Sequence, residues 1–181
     1  RRRTLTEPAF VGRTEELEQL QSLVQQTQFG RGGFVLVEAE SGSGKTRLLA
    51  ELALRCVREG LWVLRGDGVC QVGQRPFQLL DGVVKEFVSA AREAPELAEA
   101  IRGRLGDHCD AVTAALPTRA DSLGWERPAS LGPDAFGVWR SIEALSVFLE
   151  TLGSEERPAV IVLDDCHWTD ELSLRLLKNW L

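Results

Sequence analysis

Residues 34–49 read FVLVEA-ESGSGKTRLL, and the glycine-rich half of this stretch, Glu40–Leu49, decides the fold. FVLVEA (Phe34–Ala39) is a short apolar run of the kind parallel sheets bury on both faces. After the glycines, TRLLAELALRCVREG sets Leu48, Leu49, Leu52, Cys56 and Val57 on one helical stripe. The predicted order is strand, loop, helix. The loop ends in Gly-Lys-Thr and fits G-x-x-x-x-G-K-[ST] except at its first position, where Ala39 replaces glycine.

The pattern makes three chemical demands, and the sequence meets each. Gly42 and Gly44 let the backbone curl so that successive N–H groups point inward at phosphate oxygens. The helix starting near Lys45 aims its positive end at the same spot. Lys45 reaches the outer phosphates as a point charge, and the Thr46 hydroxyl is a ligand for Mg²⁺. Ala39 stands at the strand exit, before the curl, where its methyl is tolerable if φ stays negative. The loop therefore reads as a nucleotide site with one mild departure.

The rest of the chain continues the alternation. In FVGRTEELEQLQSLV, Thr14 is a candidate cap, Glu15 and Glu16 suit the helix dipole, and Leu17, Leu20, Leu23 and Val24 recur helically towards a stop at Gly30. LWVLRGDG, from Leu61, predicts a second strand, and Pro76–Ala91 a helix with proline in its first turn. Pro95 breaks that helix, and Glu96 to about Val112 suggests another. Residues 117–134 read as loop, Ala135–Gly153 as helix, and AVIVLDD (Ala159–Asp165) as a third strand ending in two carboxylates. Strands alternating with helices predict an α/β fold with a parallel sheet, whose ligands sit at the carboxyl ends of its strands. Both the glycine loop and Asp164-Asp165 fall at such ends.

Bulk properties narrow the function further. The 181 residues suffice for one domain with a core, and the 44% hydrophobic, 27% charged balance is that of a soluble globular chain. A net charge of −6 argues against a nucleic-acid surface, and no apolar run is long enough to span a bilayer. Arg1, Arg2 and Arg3 read as linker. Cys56, Cys70, Cys109 and Cys166 lack C-x-x-C spacing and read as reduced cytoplasmic thiols. The chain has no methionine and ends inside an apparent helix at Trp180-Leu181, which is expected of an excerpt from a longer protein.

With both motifs in view, the chain resembles the AAA-like, STAND-type P-loop ATPase module of large bacterial signalling proteins. These are LuxR-type regulators, multidomain serine/threonine or histidine kinases, and nucleotide cyclases. FVGR (Phe10–Arg13) is similar to the family's entry box, ESGSGKTRLL to its Walker A loop, and VIVLDDCHWTDELSLRLL (Val160–Leu177) to its extended Walker B.

The resemblance implies an additional-strand, three-layer α/β/α P-loop fold with a parallel sheet. Residues 1–9 would be linker, and 10–181 the N-terminal part of an ATPase domain truncated after the Walker B strand. The family's next strand inserts between the Walker A and Walker B strands, so a chain ending here would be poorly stable. By position, Ser41, Gly42, Ser43, Gly44, Lys45, Thr46 and Arg47 would hold the phosphates, and Val11 and Gly12 the base. Thr46 and Asp164 would hold Mg²⁺; Asp165 and Lys45 would be the catalytic residues, Asp165 by positioning the attacking water. His167 and Trp168 are either readers of nucleotide state or packing residues.

ATP and Mg²⁺ are the implied cofactors. Implied partners are ATP/ADP and kinase, cyclase or DNA-binding domains of the parent, whose oligomeric state stays open, with no direct nucleic-acid or membrane contact. The expected function is an ATP-binding, slowly hydrolysing switch. Alternatives are a catalytically silent, nucleotide-gated scaffold, a small-molecule kinase, or GTP in place of ATP.

Overall fold

The computed structural model describes residues 12–27, 32–71, 74–116, 125, 134–154 and 156–180. Its sheet consists of two parallel strands, β1 (Trp62–Asp67) and β2 (Ala159–Asp164), in register from Trp62 opposite Ala159 to Asp67 opposite Asp164. Both strands fall where the apolar runs predict.

Side chains alternate across this pair and divide the core. On one face lie α1 (Thr14–Thr27) and α2 (Lys45–Arg58), whose Leu17, Leu48, Leu52 and Cys56 form one buried cluster with Val63 and Val162. On the other face, Leu64 joins the larger cluster built from α3 (Asp81–Glu93), α4 (Pro95–Leu105), α5 (Cys109–Ala115), α6 (Asp134–Thr151) and α7 (Glu171–Trp180). Phe87 anchors it, edge-on to Phe148 with ring centroids 5.5 Å apart. Helices thus cover both faces, giving three layers around a short sheet.

The structure departs from the sequence pattern at several points. Phe34–Ala39 is not a strand: residues 32–40 carry no regular structure, and Phe34, Val35 and Leu36 are 49%, 44% and 67% exposed. Strand formation needs a neighbour to take up backbone N–H and C=O groups, and among the described residues the sheet holds only β1 and β2. Val37 alone of the run packs against the α1–α2 cluster.

Thr14 is the first helical residue rather than the cap. Leu17 N donates to Arg13 O at 3.1 Å, which puts Arg13, at φ +54°, in the cap position. Gly30, the expected stop, lies outside the described residues. Pro76 does not open a helix, because Phe77 at φ +59° turns the chain first; a 3₁₀ turn (Gln78–Leu80) then leads into α3, which runs on to Glu93. Gly106, at φ +50°, splits the helix expected over 96–112 into α4 and α5. The loop expected over 117–134 lies outside the described residues except Trp125, which is buried, and Asp134, which opens α6.

Candidate functional site

The glycine loop has the predicted curl. Gly42 and Gly44 sit at φ +77° and +87°, and a Cβ on either would meet nothing within 4 Å. The left-handed backbone, not crowding, is what calls for glycine here. Ser43 N donates to Glu40 O at 3.2 Å, which closes the turn. Ala39 keeps out of the positive-φ region, which among described non-glycine residues holds Arg13, Phe77 and Asp165. The departure from the glycine pattern therefore carries no backbone strain.

Lys45 opens α2 behind Gly44, and the N-cap position makes no side-chain cap hydrogen bond. The Lys45 ammonium donates to Ala39 O at 2.5 Å and to Glu40 O at 3.0 Å. The Ser43 hydroxyl is buried and has no partner. Ser41, Thr46 and Arg47 are exposed. Gly12 is exposed at φ +82°, and Val11 lies outside the described residues.

The acidic pair stands at the carboxyl end of β2. Asp164 Oδ1 accepts from Asp165 N at 2.8 Å, and Asp165 takes up a left-handed φ of +49° with its side chain exposed. A 3₁₀ turn (Cys166–Trp168) follows, held by Trp168 N donating to Asp165 O at 2.9 Å. His167 Nδ1 lies 3.9 Å from Asp165 Oδ1, and the His167 and Trp168 rings are 4.9 Å apart. Partial burial, then the neighbouring Asp164 carboxylate, push the Cys166 thiol above its ordinary range.

The topology sets loop and acids on one side of the molecule. Leu48 of α2 and Val162 of β2 share the α1–α2 cluster, and Asp164, two residues on, lies on the same face of the sheet as Val162. From α2 the chain enters β1 through a tight turn in which Leu61 N donates to Cys56 O at 2.9 Å. Packed on the sheet, α2 thus runs against the strands, which places its Lys45 end at the carboxyl end of β2, where Asp164 stands.

Three further residues stand near the acids. Asp170 caps α7, accepting from Ser173 N at 2.9 Å and, across the fold, from Phe77 N at 3.2 Å; the Asp-x-x-Ser spacing was its signal. Gly68 packs its Cα against the Asp165 carbonyl, and Gln74 bonds to Trp168 O. For Gly68 the signal was the Gly-Asp-Gly at the end of β1, since glycine in a strand often marks close backbone approach. Gln74 offered none.

A sheet flanked by helices, with a curled glycine loop at a helix start and carboxylates at a strand end, defines a P-loop-type α/β fold. The family model described as AAA ATPase domain matches residues 9–181, and the chain belongs to that family. Nucleotide binding is the property that membership carries. No curated protein and no solved structure matches the chain significantly. Among the described residues, no helix is long and apolar enough to cross a membrane.

Proposed function

We propose that the chain is the Mg-ATP-binding, slowly ATP-hydrolysing switch module of a larger signalling protein, with residues 10–181 the first part of its ATPase domain. The carrying observation is the loop itself: Gly42 and Gly44 left-handed, and Lys45 reaching back across the loop to Ala39 O and Glu40 O. An ammonium already poised there needs only to exchange two carbonyl oxygens for phosphate oxygens. Charge-assisted hydrogen bonds contribute about 1.5–3 kcal/mol each, so a handful of such contacts suffices for micromolar binding.

In this reading Ser41 to Arg47 hold the phosphates, and the unpartnered Ser43 hydroxyl has a ligand oxygen to meet. Gly12 and Val11 border the base. Thr46 and Asp164 hold Mg²⁺, which supplies charge neutralisation of the phosphates when bound. The donor types suit that ion: a threonine hydroxyl and a carboxylate are hard oxygen ligands, and magnesium takes few protein ligands beside phosphate and water. Asp165, exposed at the tip of the acidic turn, orients the attacking water and accepts its proton. ATP binding would stabilise one arrangement of the parent, and hydrolysis would reset it.

The experiment is a comparison of binding with turnover in the full-length protein. Asp165→Asn should bind ATP as wild type does and lose phosphate release at least tenfold, about 1.4 kcal/mol of barrier. Wild-type turnover from the Asp165→Asn variant would refute its role. Binding with no release above background in the wild type would favour the silent scaffold.

A further inference from the structure

We infer that the segment leaving β1 is a brace that sets the position of Asp165, with Gly68 and Gln74 as positioning residues; this rests on the reading of Asp165 as the acid that orients water. Asp165 needs such support, because a non-glycine residue at φ +49° persists where its surroundings hold it. The contacts come from both sides. Before Asp165, Gly68 N donates to Asp164 O at 3.0 Å. After it, Gln74 Nε2 donates to Trp168 O at 2.5 Å and to its own loop at Val69 O, 2.8 Å away. Phe77 N donates to Asp170 Oδ1 at 3.2 Å and fixes the far end of the turn.

Gly68 fills the middle of this bracket. A Cβ there would lie 2.2 Å from Asp165 O, 3.0 Å from Asp165 C and 3.4 Å from Trp168 C. The Asp165 carbonyl it presses against is the one that accepts from Trp168 N. Any side chain at 68, or loss of the Gln74 amide, therefore moves the backbone that carries the Asp165 carboxylate. Gln74 meets the turn at Trp168 O, on the Asp165 side rather than at Asp164 or the Lys45 loop, so loss of its amide lowers turnover more than nucleotide affinity.

The test uses the full-length protein and Gln74→Glu, which keeps the side-chain size and replaces the donating amide with an acceptor facing two carbonyls. Gly68→Ala serves as a second variant. In nucleotide-free protein, amide exchange over 164–170 should quicken about tenfold in Gln74→Glu, with residues 14–27 unchanged. With Mg-ATP, kcat should fall about tenfold while KM and ATP affinity stay within about twofold. Unchanged exchange over 164–170 overturns the brace. So does faster exchange with wild-type kcat, or an equal loss of affinity and turnover. If the wild type binds no ATP, the proposed function fails, and the exchange comparison alone still decides the brace.

Discussion

The Lys45 ammonium and the Ala39 carbonyl are joined by a 2.5 Å hydrogen bond, so the residue that breaks the glycine pattern also helps, with Glu40, to anchor the loop's cation. The anchor is a backbone carbonyl, which any residue supplies. Ala39 stays out of the positive-φ region, a conformation alanine accepts. Restoring the pattern with Ala39→Gly should leave ATP affinity within about threefold of wild type by calorimetry. The same change should lower stability by about 0.4–1 kcal/mol, because glycine gives the unfolded chain more freedom.

The run at residues 34–38 has strand composition without a strand's partner. In the 181-residue chain its amides should exchange with little protection, whereas those of β1 at 62–67 should be protected by pairing with β2. Hydrogen exchange resolved by residue checks this; equal protection of both segments would mean that residues 34–38 find a ladder.

The larger cluster should dominate stability. Phe87 is fully buried between Phe148 and Trp125, with centroids at 5.5 and 6.1 Å. Phe87→Ala should cost about 3–5 kcal/mol in urea unfolding. Val69→Ser, at an exposed site, should cost under about 0.5 kcal/mol.

Burial first, and then the charge of Glu59, push the Cys56 thiol up from 9.0 to about 11. The stability linked to this group is whole below its unfolded value of 9.0, because the thiol is then protonated folded or unfolded. As pH rises from there towards about 11, the unfolded chain gives up its proton first and stability falls. Thermal unfolding of wild type should therefore weaken over that window more than that of Cys56→Ala. Iodoacetamide at about pH 8 should spare Cys56 and modify the exposed Cys70.

The sequence disclosed what depends on local chemistry. The loop's curl followed from Gly42 and Gly44, the start of α2 from its position behind them, and β1 and β2 from apolar runs bounded by turn residues. What it hid depends on distant partners. FVLVEA has the composition of a buried strand, yet pairing is decided by neighbours in space, not by the run itself. The splits at Phe77 and Gly106 come from single left-handed residues inside helical spacing. Gln74 lies 94 positions from the carbonyl it meets, and no spacing rule connects them.

The grip of residues 41–46 on a triphosphate, through Lys45 and a magnesium ion held by Asp164, is tested by titrating ATP into the full-length protein with and without Mg²⁺, for wild type and Lys45→Ala. Wild type should bind at micromolar concentration and more weakly without Mg²⁺, and Lys45→Ala should lose at least about a hundredfold, near 2.7 kcal/mol. Equal affinity for the two proteins would contradict it.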